Sequence, residues 1–292
     1  MISVVIPAFD EAGAIRDTIA QMRTAIGAVE HEIIVVDDGC ADRTADEAAA
    51  AGGRVLSHPH NLGYGAALKT GIRAATFDTI VITDADGTYP NDQLPRLLAE
   101  FNKGFNMVVG ARTGGHYRES LFKAPLRYLL KWLVEFTTGR RIPDVNSGFR
   151  VFSRQEVLPH LDHLCNTFSF TTSLTLAYMM TARFVGYVPV AYNQRIGRTK
   201  VRLFRDSLRT LQYIVQAILY YNPLKMFLLI CGALLVLAAL LMFVAIQWEI
   251  MTAFFLGVGC LLMVIVVFKR RTPQIDGGRT VRSAAVQTFV LV

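Results

Sequence analysis

The run Met226–Ile246 holds 21 residues without a charge, and Ile250–Phe268 holds another 19. Each is close to the ~20 residues needed to cross a hydrocarbon layer of ~30 Å. Helices of soluble domains keep a polar face, and these runs have none. The pattern predicts a C-terminal transmembrane hairpin, with helices at 225–247 and 250–268 and a tight turn at Gln247-Trp248-Glu249, where Trp248 serves as an interfacial anchor. Lys225 precedes the first run and Lys269-Arg270-Arg271 follow the second. By the positive-inside bias this predicts that the large N-terminal region and the 269–292 tail are both cytoplasmic. Ile2–Pro7 opens directly as a strand without a basic segment before it, so no signal peptide is expected. Cys231 and Cys260 fall inside the apolar runs, and Cys40 and Cys165 lack metal or disulfide spacing, so all four read as reduced.

With 52% hydrophobic residues in 292, the chain has enough apolar sequence for one sizeable α/β core besides these runs. Short β-branched segments alternate with helical patterns over the first half, which is the sign of a parallel sheet with crossover helices. Strands are expected at Ile2–Ala8, His31–Val36, Arg54–Ser57, Thr79–Thr83 and Asn106–Gly110, and helices at Glu11–Ile26, Asp42–Ala51 and Gly65–Ala75. In open α/β sheets ligands bind beyond the carboxyl ends of the strands. Pro7–Glu11, Asp37-Asp38 and Asp84-Ala85-Asp86 all fall there. Two carboxylates one residue apart suit a divalent cation with its bound diphosphate, since Mg²⁺ is commonly held by one or two carboxylates plus substrate phosphates.

Charge is divided along the chain. Residues 1–100 carry 15 Asp/Glu against 7 Lys/Arg, and residues 101–292 carry 8 against 23. A basic half beside membrane-spanning sequence suits anionic lipid headgroups and phosphate ligands. Nucleic acid is not expected, because no recognition module is present. Leu121–Thr137 bears Lys123, Arg127, Lys131 and Glu135 in one polar stripe, and Val201–Tyr221 sets Phe204, Leu208, Leu211, Val215 and Ile218 apart from Arg202, Arg205 and Arg209. Both read as amphipathic helices lying in the membrane interface. Asn61–Gly71 is Gly-rich, but Leu68 before Lys69 excludes a Walker loop and a dinucleotide fingerprint, leaving a turn into a helix.

In order, Val5-Ile6-Pro7-Ala8-Phe9-Asp10-Glu11, Val35-Val36-Asp37-Asp38-Gly39, Asn61-Leu62-Gly63, Asp84-Ala85-Asp86-Gly87, Gly110-Ala111-Arg112, Asn146-Ser147-Gly148-Phe149-Arg150 and Arg195-Ile196-Gly197-Arg198-Thr199-Lys200 resemble glycosyltransferase family 2. The resemblance covers residues 1 to about 200. It implies the inverting GT-A fold, a Rossmann-like, mostly parallel sheet with flanking helices. Within the family the chain is most similar to polyprenyl-phosphate glycosyltransferases, such as dolichol-phosphate mannose or glucose synthases and undecaprenyl-phosphate glucosyltransferases. The implied partners are a nucleotide diphospho-sugar donor, an undecaprenyl or dolichyl phosphate acceptor and membrane lipids, with a homo-oligomer as one arrangement open to it.

The resemblance also implies site residues. Pro7, Ala8, Glu11, Val36 and Asp38 would line the base and ribose pocket, with Asp84 and Ala85 on the ribose side. Asp86, with Asp84, would hold Mg²⁺ or Mn²⁺. Where the family often has Gln two residues later as a further metal contact, this chain has Thr88, so the Thr hydroxyl or water would fill that position. Arg112, Arg127, Ser147 and Arg150 would take the acceptor phosphate, and Arg195 and Lys200 the donor phosphates. Asp144 is a catalytic candidate that would orient the acceptor phosphate or a metal-bound water. An anionic lipid phosphate needs no strong general base, and Phe168-Ser169-Phe170-Thr171-Thr172, where many hydroxyl-glycosylating relatives present one, has no carboxylate. The competing expectations are a glycosyltransferase acting on a glycolipid or polysaccharide hydroxyl, against which the missing base and the absent Gln-x-x-Arg-Trp motif count, and a catalytically silent scaffold of the same fold.

Overall fold

The structure, a computed structural model, describes residues 1–113, 124–193, 203–221 and 223–271. It forms two compact units, Met1–Phe227 and Leu228–Val292.

The first unit is built on seven strands: β1 (Ile2–Ala8), β2 (His31–Asp37), β3 (Arg54–Ser57), β4 (Thr79–Ile82), β5 (Met107–Thr113), β6 (Arg150–Ser153) and β7 (Val185–Ala191). They lie in the order β3-β2-β1-β4-β6-β5-β7. All are parallel except β6, which runs antiparallel to both β4 and β5. Every residue of β1 is buried, as expected for a strand covered on both faces. On one face α1 (Ile15–Ile26) and α4 (Leu94–Phe101) pack over Val4, Ile6, Val35 and Val151. On the other, α3 (Tyr64–Ala74) and α7 (Phe170–Met180) pack over Val5, Ile34, Val36 and Ile82. The short helices α2 (Thr44–Ala50) and α6 (Arg154–Val157) complete the crossovers. The helix expected from Glu11 starts only at Ile15, because Ala14 and Ile15 turn back onto the Glu11 carbonyl.

Two helices add a third, smaller core. Val134 of α5 (Ala124–Thr138) and Ile214 and Ile218 of α8 (Leu203–Tyr221) are buried with Ile142, Leu176 and Met179. This corrects the interfacial reading in part: a line of each apolar face packs on the domain, while Tyr128, Trp132, Leu208, Leu219 and Tyr220 stay exposed. Lys225, expected only as a basic flank, donates to the carbonyls of Phe136 (3.0 Å) and Thr137 (2.7 Å) and so satisfies the carboxyl end of α5.

The described residues of the second unit belong to α9 (Pro223–Arg271), one helix of 49 residues. Its segment Pro223–Val266 is long and apolar enough to cross a membrane. No turn is seen where the hairpin was expected. Gln247, Trp248 and Glu249 contain neither Gly nor Pro, and nothing there interrupts the i→i−4 ladder, so the helix continues through them.

Candidate active site

Because β6 is reversed, its amino end reaches the same edge of the sheet as the carboxyl ends of β1, β2, β4, β5 and β7. That edge collects Ala8, Asp37-Asp38, Asp84–Thr88, Arg112, Asn146–Arg150 and Tyr192.

At its β1–β2 side the strand ends are rigidly stitched. Pro7 and Ala8 pair with Val36 and Asp37. Val36 is fully buried, and its side chain packs beneath α3 beside Gly71, so it supports the pocket from below rather than lining it. Asp38 is also buried. Its Oδ1 accepts from the Leu62 amide (2.9 Å), its Oδ2 accepts from the Gly63 amide (2.8 Å), and His58 Nδ1 lies 2.7 Å from Oδ1. The expected ribose ligand therefore spends its carboxylate on holding the Gly-rich turn. Glu11 donates its amide to Thr44 Oγ1 (2.8 Å), and Ala12 donates to Asp42 (3.1 Å). Cys40, in the same loop, has its thiol pushed up to about 12 by burial and by the neighbouring Asp37.

The two carboxylates after β4 have different surroundings. Asp86 is 5% exposed, and its Oδ1 accepts from the Thr88 amide (3.1 Å) and the Thr88 hydroxyl (2.6 Å). Thr88, expected as a metal ligand, is itself fully buried and acts as the clamp on Asp86. Asp84 is half-buried and accepts from the Tyr64 hydroxyl at 2.8 Å. Burial, with the Asp84 charge next, raises the Tyr64 hydroxyl well above its ordinary range and keeps it a donor. Asp84 lies so close to Gly148 that a Cβ there would meet its Oδ1 at 2.6 Å. Such paired carboxylate oxygens are hard donors of the kind Mg²⁺ and Mn²⁺ take, so the residues fit a divalent cation.

Across the edge, Arg112 forms a two-pronged pair with Asp144, Nε to Oδ2 at 2.7 Å and Nη2 to Oδ1 at 2.9 Å. Asp144 also accepts the amides of Arg112 (3.1 Å) and Asn146 (3.0 Å). Burial opposes its ionisation, but Arg112 outweighs burial and holds the carboxyl below the usual range. The Arg112 guanidinium also stands 5.4 Å from the centroid of the Tyr192 ring. Asp144 is thus held as the partner of Arg112.

Two expected acceptor ligands are turned inward. Ser147 is fully buried and donates to the Gly110 carbonyl (2.6 Å). Arg150 is fully buried and donates to the Ser147 carbonyl (2.7 Å), Thr175 Oγ1 (2.8 Å) and the Val145 carbonyl (2.8 Å). This corrects the phosphate-binding expectation for both: their polar atoms brace the segment that carries Gly148. Arg195 and Lys200, and the Arg127 side chain, lie outside the described residues. The residues that sequence reasoning missed are Tyr64, Tyr89, whose hydroxyl receives the Gly148 amide (2.7 Å), and Tyr192. Only Tyr64 carried a signal, its place in the Gly-rich turn.

Residues 3–161, more than half of the chain, match the family described as glycosyl transferase family 2. The chain belongs to that family. Two Salmonella proteins, the undecaprenyl-phosphate 4-deoxy-4-formamido-L-arabinose transferases of S. choleraesuis and S. typhimurium, are each 28% identical over 234 residues, spanning 77% of this chain and 69% of theirs. Among solved structures, glucosyl-3-phosphoglycerate synthase from Mycobacterium tuberculosis, in complex with Mn²⁺, UDP and glucosyl-3-phosphoglycerate, superposes with a TM-score of 0.60 at 24% identity, covering 74% of this chain and 79% of that one. This likeness shows the fold, the GT-A architecture expected from the motifs. In family terms, the matched segment supplies the whole acidic side of the edge together with Arg112, Asp144 and Arg150.

Proposed function

We propose that the chain transfers a sugar, with inversion, from a nucleotide diphospho-sugar of the UDP-glucose or GDP-mannose type to the phosphate of a polyprenyl phosphate at the cytosolic membrane face. The products are a polyprenyl-phosphate sugar and a nucleoside diphosphate. The observation that carries this reading is the state of Asp144: the buried carboxylate spends both oxygens on the Arg112 guanidinium and on two amides, and Arg112 holds it below the usual carboxylate range, which makes it a weak base for a hydroxyl proton. A phosphate acceptor needs no such base. The undecaprenyl-phosphate acceptor in the relatives' names and the apolar length of α9 support the lipid phosphate further.

In this scheme the nucleotide binds over the β1–β2 ends, and Pro7, Ala8 and Glu11 border it. Asp84 and Asp86 would hold Mg²⁺ or Mn²⁺, which when bound offsets charge on the leaving diphosphate. Tyr64 and Thr88 fix the two carboxylates before substrate arrives, and such preorganisation avoids reorganisation during the reaction. Arg112, held by Asp144 and Tyr192, presents its guanidinium to the acceptor phosphate, and Arg127 is proposed to act on the same phosphate. Arg195 and Lys200 act on the donor phosphates.

The test is sugar transfer by the full chain in lipid nanodiscs containing undecaprenyl phosphate, with labelled UDP-glucose, GDP-mannose and a 4-deoxy-4-formamido-L-arabinose nucleotide as donors. Label in the lipid phosphate with one donor, abolished in Asp86→Ala, is expected. Transfer confined to a hydroxyl-bearing glycolipid, or full transfer by Asp86→Ala, overturns the acceptor and the metal assignments respectively. No transfer in any arm returns the chain to a silent scaffold.

A further inference from the structure

The Gly-rich turn Asn61–Gly65 has a task other than phosphate binding. Two of its amides are committed, since Leu62 and Gly63 donate to Asp38, and just after it Ala66 donates to the Asn166 carbonyl at 3.0 Å. Its glycines serve close approach. Gly63 has φ +108°, and a Cβ on it would lie 2.6 Å from the Asn166 carbonyl oxygen; at Gly65 the Cys165 carbonyl oxygen would stand at 2.1 Å. Lys69, one turn into α3, ties the opposite strand of chain with bonds to the Leu164 carbonyl (2.6 Å) and Asn166 Oδ1 (2.7 Å). The turn is therefore held from Asp38 on one side and from residues 164–166 on the other. The side chain delivered by this anchored turn is Tyr64.

The Tyr64 ring stacks on Phe168, with centroids 5.6 Å apart and planes 18° from parallel. Its hydroxyl reaches Asp84 Oδ1 at 2.8 Å, and the same hydroxyl would lie 2.8 Å from a Cβ on Gly148. Asp84 thus sits in a slot with the Tyr64 hydroxyl on one wall and the bare backbone of Gly148 on the other. We infer that Tyr64 is a positioning residue that sets the direction of the Asp84 carboxylate for the donor's metal and diphosphate; the inference rests on the nucleotide-sugar reading above. A phenol is suited to this task. It donates one proton to one carboxylate oxygen, adds no charge to the acidic side of the site, and is held by ring stacking rather than by a flexible stem.

The experiment uses the full chain in detergent with Mn²⁺ and UDP as probes. Tyr64→Phe retains the ring and its stack on Phe168 but loses the hydroxyl. Calorimetry is expected to show Mn²⁺-dependent UDP binding weakened about tenfold, the loss of one hydrogen bond to a charged group. The donor KM should rise by a similar factor while the acceptor KM and the melting temperature hold. Phe168→Leu, which leaves the hydroxyl but removes the stack, should weaken UDP by a smaller factor in the same direction. Equal UDP affinity in Tyr64→Phe overturns the positioning role while leaving the nucleotide-sugar reading intact. So does a joint rise of both KM values with a lowered melting temperature, which would mark a general structural role. Where UDP does not bind, GDP takes its place as the probe, and failure of the unsubstituted chain to bind either nucleotide with Mn²⁺ sinks the nucleotide-sugar reading, and this inference with it.

Discussion

Gly148→Ala is the most direct perturbation of the slot around Asp84. A Cβ at this position would lie 2.6 and 2.9 Å from the two Asp84 oxygens and 2.8 Å from the Tyr64 hydroxyl, whereas ordinary contact begins near 3.4 Å. The backbone of residues 147–150 is fastened by Ser147 to Gly110, by the Gly148 amide to Tyr89 and by three bonds from Arg150, so residue 148 has little room to retreat. The movable partner is Asp84, which must shift by about 0.8 Å. A misplacement of about 1 Å in a reacting constellation can cost about 10²-fold in rate. The expected result is a fall in donor kcat/KM of about 10²-fold, or about 2.7 kcal/mol of transition-state stabilisation. Overpacking of this size costs about 1–3 kcal/mol of stability, so the domain remains folded during the assay. Steady-state kinetics with varied donor at saturating lipid acceptor, beside a thermal melt, measures both quantities. Because Tyr64 and Gly148 act through one carboxylate, the losses in Tyr64→Phe and Gly148→Ala should be less than additive in the double variant. A donor kcat/KM within threefold of the unsubstituted chain would refute the slot.

Three further outcomes are expected. The folded Asp144 carboxyl lies below its reference value of 3.8, so its pairing with Arg112 stabilises the fold above that pH and is lost as pH falls through the folded value. Asp144→Asn should be less stable than the unsubstituted chain at pH 7 by about 2 kcal/mol, and the two denaturant curves should converge below pH 3.8. Arg150→Met leaves the buried carbonyls of Val145 and Ser147 without their donor, which should cost at least about 3 kcal/mol in chemical denaturation; a selective rise in acceptor KM at unchanged stability would instead restore a phosphate role. Cys40, with its thiol near 12, should hold on the order of 10³-fold less thiolate at pH 8 than an ordinary cysteine. Alkylation followed by mass spectrometry should find it slow in the folded protein and fast after denaturation.

Four strands were legible in the sequence: β1, β2 and β4, from runs rich in β-branched residues, occupy almost the ranges expected, and β3 occupies Arg54–Ser57 as expected. β6 was not legible. Its four residues, Arg-Val-Phe-Ser, follow a motif whose Asn, Ser and Arg look like ligands, and only antiparallel pairing with β4 and β5 shows that Arg150 points into the core. The placement of Asp84 and Asp86 at the sheet edge was readable because they directly follow the apolar run of β4. Their supports were not. Tyr64 is 20 residues from Asp84 in sequence, and the clearance at Gly148 depends on two chain segments meeting, which no local pattern encodes. The turn expected at Gln247-Trp248-Glu249 is not seen for a related reason. Charge at Glu249 marked a boundary in hydropathy, but hydropathy does not end a helix where the backbone has no reason to turn.

The reversal of β6 also has a consequence for how such a site can diversify. Residues 139–149 run from the end of α5 to the amino end of β6, fastened by Ile142 in the core, by Asp144 to Arg112 and by Arg150 to Val145, but they belong to no strand of the parallel frame. The acidic side, in contrast, is set by β1, β2 and β4, whose spacing cannot change without rebuilding the sheet. In the proposed scheme, insertions or exchanges between α5 and Ile142 would rework acceptor recognition while the donor grip stayed constant, and chimaeras that join one protein's β1–β4 half to another's acceptor segment have a natural seam just outside the Arg150 brace.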